Sequence, residues 1–125
     1  MKNTVYISIG SNLCNGAENI ENAFGFLRDN YKNVVCSTIY STPSVSIGDD
    51  SIYFNAVARC EVNGVESTNI DLKAYELRRG RIRGQKDVVI DMDIVIADGQ
   101  ILRPRDYDRE YFLIGYNQII QSNNI

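Results

Sequence analysis

The sequence contains no histidine and no tryptophan. Without histidine there is no imidazole general base, no Ser-His nucleophile and no His-ligated zinc site. Its three cysteines, Cys14, Cys36 and Cys60, are odd in number, widely spaced and never arranged as CxxC. Neither a disulfide scaffold nor a thiolate zinc site is expected from them, and they read as reduced thiols. There is no apolar run long enough to cross a bilayer, and Met1-Lys2-Asn3-Thr4 leads straight into a strand-like segment without the pattern of a leader. The expectation is a cytoplasmic protein with no membrane contact. A net charge of −3 removes bulk electrostatic attraction for nucleic acid.

What is present suits one globular domain over residues 1–125: 44% hydrophobic and 23% charged residues argue against disorder. Thr4 to Ile9 reads as a strand, Ala17 to about Asn30 as a helix with Ile20, Ala23, Phe24, Leu27 and Tyr31 on one face, and Val34 to Ser41 as a second strand left at Pro43. Ser44 to Ser51 is a polar loop. Ile52 to Val62 alternates strictly, with Phe54, Ala56, Ala58, Cys60 and Val62 on one face and Tyr53, Asn55, Val57, Arg59 and Glu61 on the other. A helix capped at Thr68 runs to about Arg79, with Ile70, Ala74 and Leu77 inward and Gly80 at its C-terminal end. Val88 to Ile96 is a fourth strand, Asp98-Gly99 a turn, and Ile101 to Tyr116 a mixed segment. The tail from about 117 to 125 is expected to fray. The order β-α-β-β-α-β is that of an α+β, ferredoxin-like sandwich, an antiparallel sheet with two helices on one face and the other face open.

The segment Val88-Val89-Ile90-Asp91-Met92-Asp93-Ile94-Val95-Ile96 sets two carboxylates into an apolar strand. Alternation puts Asp91 and Asp93 on one face and Ile90, Met92, Ile94 and Ile96 on the other. Like charges about 6–7 Å apart on one strand face repel unless a cation lies between them. Oxygen ligands suit a hard ion such as Mg²⁺, which completes its shell with water and phosphate. Seven arginines flank the strand: Arg78, Arg79, Arg81 and Arg83 before it, Arg103, Arg105 and Arg109 after it. Carboxylates for metal and guanidinium groups for phosphate are the ingredients of a phosphoryl-transfer site; a solvated strand face and a solvated helix end are the plainer alternatives. Asn55, an amide in mid-strand beside Tyr53, can read a heterocycle edge or simply face water.

The segments YISIGSNL (Tyr6–Leu13), IYSTP (Ile39–Pro43), YFNAVARCE (Tyr53–Glu61), ELRRGRIR (Glu76–Arg83), DMDIVI (Asp91–Ile96) and RPRDYDREYFL (Arg103–Leu113) occur in this order. As a set they resemble 6-hydroxymethyl-7,8-dihydropterin pyrophosphokinase, a folate-pathway enzyme of ferredoxin-like fold. The resemblance implies transfer of pyrophosphate from ATP, as co-substrate, to the pterin hydroxymethyl group, with release of AMP. It implies that Asp91 and Asp93 hold two Mg²⁺ ions and, with Arg81, form the catalytic set. Thr42, Pro43, Val45, Tyr53, Asn55 and Tyr111 match pterin-binding positions, and Glu76, Arg81, Arg83, Arg103 and Arg109 fall on the ATP side. The implied partners are small molecules, and the chain is expected as a monomer or weak homo-oligomer.

The chain departs from that family in three places. The loop before the Asp strand is short, only Gly84 to Ile90 separating Arg83 from Asp91; it has no Trp, and Val88 stands at a family Arg. Arg103 stands where the family has His. A shortened loop is expected to impair closure over ATP more than pterin binding. Two other functions therefore remain open: a pterin- or nucleotide-binding relative without turnover, and a ferredoxin-like interaction module pairing through its open sheet face.

Overall fold

The computed structural model describes residues 2–122. Strand β1 (Asn3–Ser11) leads into helix α1 (Gly16–Asn30); strands β2 (Lys32–Cys36), β3 (Tyr40–Pro43) and β4 (Ile52–Val62) precede helix α2 (Val65–Arg78); strands β5 (Asp91–Ala97) and β6 (Gln100–Ile101) are followed by the short helix α3 (Pro104–Tyr107) and helix α4 (Glu110–Ser122). The six strands form one antiparallel sheet in the order β2-β4-β1-β5-β6, with β3 also on the edge of β4. The α+β, ferredoxin-like expectation holds. The single strand expected over Val34 to Ser41 is instead two, β2 and β3, both laid along β4, and Pro43 ends the second at a position where the missing N–H costs no central ladder bond.

Alternation along β1 and β4 sorts the sheet into two faces. Val5, Ile7, Ile9, Ala56, Ala58 and Cys60 bury against Ile20, Ala23, Phe24 and Leu27 of α1 and Leu72 and Tyr75 of α2. The opposite face carries Tyr6, Val57, Val95 and Ile96, packed under Phe112, Tyr116 and Ile119 of α4. This corrects the open-face expectation: α4 covers half of that face, and the residues from 117 to 122, expected to fray, are its last turns, anchored by a fully buried Ile119. Residues 123–125 of the expected tail lie outside the described residues.

Two further differences have local causes. Tyr6 pairs with Ile96 while Ile7 pairs with Ile94, so Val95 is an extra residue in β5. The bulge swings Ile96 onto the α4 face, against the simple alternation that put it with Met92 and Ile94. Helix α2 begins at Val65, not Thr68, and Ile70 and Leu77 are 67% and 68% exposed. Its inward stripe is Thr68, Leu72, Tyr75 and Glu76. The buried carboxylate on that stripe is what defeats a reading by hydrophobic spacing.

Helix α4 sits close because Gly115 has no side chain. A Cβ there would lie 2.7 Å from Val57 Cγ2 and 2.8 Å from the Tyr40 hydroxyl. That hydroxyl donates to the Tyr111 carbonyl (2.6 Å) and accepts from the Gly115 N–H (3.0 Å), so it ties β3 to α4. Gly115→Ala should destabilise the fold by about 1–3 kcal/mol through overpacking, measured as a lower urea midpoint with unchanged m-value.

Candidate active site

The uncovered half of the α4-side face is the floor of a cavity of about 170 Å³. Register brings its parts together: Gly10 of β1 lies opposite both Asn55 of β4 and Asp91 of β5, and Ser8 lies opposite Asp93. Thr42 to Ser46 form one wall, Tyr53 and Tyr111 supply aromatic rings, and Asp106 and Tyr111 close the side toward α4. Asn55 is 4% exposed. Its Nδ2 donates to Thr42 Oγ1 (2.7 Å) and to the Tyr53 carbonyl (3.2 Å), which leaves Oδ1 as an acceptor over Gly10. The loop wall is folded on itself rather than loose: Ser44 N–H donates to the Ser51 carbonyl, and Asp49 accepts from both the Ser51 N–H and hydroxyl.

Asp91 and Asp93 rise from this floor at an edge where β5 has lost its neighbour, because β6 pairs only with Ile96 and Ala97. The free backbone of Met92 is satisfied by side chains of α2: its N–H donates to Glu76 Oε2 (2.8 Å) and its carbonyl accepts from the Lys73 ammonium (2.9 Å). Lys73 also donates to Glu76 Oε2 and to Asp93 Oδ1, both at 2.9 Å, and lies 3.8 Å from Asp91 Oδ1. Burial would lower the Lys73 pKa, but its bonds to Glu76 and Asp93 outweigh this and raise it. Burial also works against the charge on Asp93, and Lys73 overcomes it, so that carboxyl titrates below its ordinary range. Asp91 has less compensation. Burial first, then the charges of Asp93 and Glu76, raise its pKa.

The arginines divide. Helix α2 ends in a Schellman turn, with Arg81 N–H donating to the Glu76 carbonyl, Gly80 N–H to that of Leu77, and Gly80 at φ +96°. That turn folds the arginine loop back over Glu76, and Arg83 reaches Glu76 Oε1 at 3.5 Å. Arg81 donates to the Ile82 carbonyl, and its buried Nε has no partner among the described residues. Arg103 lies 3.9 Å from Asp93 and pairs with Asp106, which also accepts from the Tyr111 hydroxyl. A chain of contacts thus runs from Lys73 through Asp93, Arg103 and Asp106 to Tyr111. Arg109 is exposed, and its side chain makes no hydrogen bond or ion pair among the described residues. Beyond Asp93 lies a second hollow lined by Val65, Ile70, Ile94, Leu102 and Arg103, and Asp93 lines both.

The cavity gathers Thr42, Pro43, Val45, Tyr53, Asn55, Tyr111, Asp91 and Asp93, all singled out from sequence. Glu76 is 2% exposed and lies beneath the aspartates rather than on a cavity wall. Lys73 and Asp106 were not found by sequence reasoning. The signal for Lys73 was its i,i+3 spacing to Glu76 on one helix, a pattern common enough on solvated helices to carry no weight alone. For Asp106 there was none, since its role depends on how α3 turns back toward Tyr111. The predicted strand start at Val88 moves to Asp91. Val88 is held instead by Asn12, whose Oδ1 accepts its N–H (2.7 Å) and whose N–H donates to its carbonyl (3.1 Å).

The donor set fits a hard divalent cation. Asp91 Oδ1 is buried without a hydrogen-bond partner among the described residues, with Lys73 at 3.8 Å, while the Asp91 side chain as a whole is 36% exposed and lines the cavity beside a second carboxylate. No helix among the described residues is long and apolar enough to cross a membrane.

No curated protein matches the chain. The family model described as 7,8-dihydro-6-hydroxymethylpterin-pyrophosphokinase (HPPK) matches residues 6–121 of the 125, spanning every element from β1 to α4. With the match covering nearly the whole chain, this protein belongs to the HPPK family, the pterin pyrophosphokinases of folate biosynthesis.

Proposed function

We propose that this chain transfers the β,γ-pyrophosphoryl group of ATP to the hydroxymethyl oxygen of 6-hydroxymethyl-7,8-dihydropterin. The carrying observation is the single cavity that joins an Asn-Thr pair and two tyrosines to Asp91 and Asp93. The pterin ring lies over Gly10, between the loop at Thr42 to Val45 and the rings of Tyr53 and Tyr111, with Asn55 Oδ1 accepting from the N–H edge of the heterocycle. Thr42 matters because it occupies the Asn55 amide nitrogen and so fixes which end of the amide faces the ring.

The nucleotide base takes the apolar hollow at Ile70, Ile94 and Leu102, and the triphosphate passes Asp93, the residue the two hollows share. The hydroxymethyl oxygen forms a bond to the β-phosphorus as the bond to the α,β-bridging oxygen breaks; AMP leaves and the hydroxyl proton is released. Asp91 and Asp93 would hold Mg²⁺, which supplies charge neutralisation at the phosphates. Arg103, Arg81 and Arg83 provide cations along the phosphate path. Catalysis of this kind is mostly positioning and electrostatics, which suits a site without histidine. A cytoplasmic location, where ATP and reduced thiols are both found, fits this reading.

The test is AMP formation from ATP and Mg²⁺ dependent on the hydroxymethyl dihydropterin. Its absence at high enzyme concentration, with pterin binding retained in calorimetry, would leave the chain a binding relative, the reading that the short loop after Arg83 favours. Asn55→Ala removes the acceptor and should weaken pterin binding about 10–100-fold, on the order of a hydrogen bond left unmade in a buried site. Gly10 has an ordinary backbone conformation, and a Cβ there would meet Asn55 Oδ1 at 3.4 Å and Tyr53 Cδ2 at 3.7 Å. Gly10→Val should therefore fill the cavity floor and abolish pterin binding in a folded protein, checked by calorimetry beside a thermal melt. Asp93→Asn should lower turnover at least about 100-fold while pterin affinity changes little, read from kcat and a pterin titration.

A further inference from the structure

Lys73 bears on how many cations the two aspartates can hold. Its ammonium has three N–H donors, and three acceptors at 2.9 Å take them: Glu76 Oε2, the Met92 carbonyl and Asp93 Oδ1. A lysine so saturated is a fixed charge and not a free arm for gripping phosphate. It is anchored from below by Glu76, itself held by the Met92 N–H, and it stands against both aspartates, 2.9 Å from Asp93 Oδ1 and 3.8 Å from Asp91 Oδ1, in a place a cation would take. Asp93 Oδ1 is thereby committed.

The remaining donors are few. Among the described residues no cluster of three or more acidic, histidine or cysteine side chains is placed to hold a metal ion. Asp91 is the carboxylate with capacity left: its buried Oδ1 accepts no hydrogen bond among the described residues and has Lys73 only at 3.8 Å, and its side chain is 36% exposed and lines the cavity. A second divalent ion would have to share the same two carboxylates. Bound at about 2.1 Å from Asp93 Oδ1, it would lie close to an ammonium already 2.9 Å from that oxygen. Like charges at that spacing in a partly buried site repel strongly.

We infer that Lys73 is a tethered cation that takes the place of one divalent ion, so that this site binds a single Mg²⁺, held by the carboxylate oxygens of Asp91 and Asp93 that Lys73 does not contact. The inference rests on the pyrophosphokinase reading and sharpens it. One of the two positive centres is then covalently built into α2, present before substrate arrives. It also holds Asp93 at a fixed height on the cavity floor. Lys73 is in this sense a positioning residue, because it acts through Asp93 and the metal.

The measurement is a count of protein-bound Mn²⁺ by electron paramagnetic resonance, in the complex with α,β-methylene-ATP and against a nucleotide-only control. The unmodified protein and Lys73→Arg should each hold one ion. Lys73→Gln, which removes the charge and keeps a polar side chain, should take up a second ion at least tenfold more tightly than the unmodified protein does. Two ions of similar affinity in the unmodified protein overturn the inference and leave the metal site standing. So does a Lys73→Gln protein, folded by thermal melt, that stays at one. If Lys73→Gln does not fold, the counts for the unmodified protein and Lys73→Arg decide. An Asp91→Asn protein that binds as many ions as the unmodified one removes the metal reading itself, and this inference with it.

Discussion

At Met92 the sheet has an edge with nothing beside it, and the site depends on how that edge is closed. A buried peptide group without a partner costs about 1–3 kcal/mol, and Met92 is fully buried. Lys73 and Glu76, one helical turn apart, take the positions that a neighbouring strand would fill. Lys73 also serves the aspartates on either side of Met92, while the charge of Glu76 acts against Asp91. Closing the edge and charging the site are thus one set of bonds. A buried ion pair broken on one side costs on the order of 3–5 kcal/mol; Glu76 is nearly fully buried and Lys73 about a quarter exposed, so the lower part of that range applies.

From this clamp the charge spreads in an ordered way. Asp93 is held ionised by Lys73, with Arg103 farther off; Asp91 has Lys73 only at 3.8 Å from Oδ1, which accepts no hydrogen bond among the described residues. The two carboxylates are thus held unequally: Asp93 is fixed by the lysine and Asp91 is held more loosely. Arg103 then passes the arrangement on to Asp106 and Tyr111, so the aromatic wall of the cavity is oriented by the same network that holds Asp93. Helix α4 arrives there because Gly115 permits close packing and Tyr40 bonds to it at two points.

How much of this could be read from the chain follows from which forces are local. Strand alternation placed Tyr53 and Asn55 on one face and Asp91 and Asp93 on one face, and the sheet register then brought these pairs together across Gly10. Turn chemistry at Asp98-Gly99 and Gly80 was legible because positive φ selects few residues. What failed were features fixed by tertiary contact. Helix α2 hides a carboxylate and exposes Ile70 and Leu77, so apolar spacing pointed to the wrong stripe. The Val95 bulge turned Ile96 over without a residue type that marks a bulge. Helix α4 hid in a segment whose polar end looked like a tail, because only the sheet beneath it shows that Ile119 is buried.

The short loop after Arg83 gains a physical meaning from the same frame. Asn12 bonds the Lys86 carbonyl and both backbone groups of Val88, so the residues just before β5 are tied to the end of β1. A long loop free to swing would need to be released from such contacts; this one is held by a side chain whose donor and acceptor are both in use. The cations beside the aspartates are likewise groups already in place. Lys73 is fixed by three bonds, and Arg103 is set between Asp93 and Asp106. The cavity is thus bounded by groups already held in place, the Asn55-Thr42 pair on one side and the Asp91-Asp93 floor on the other.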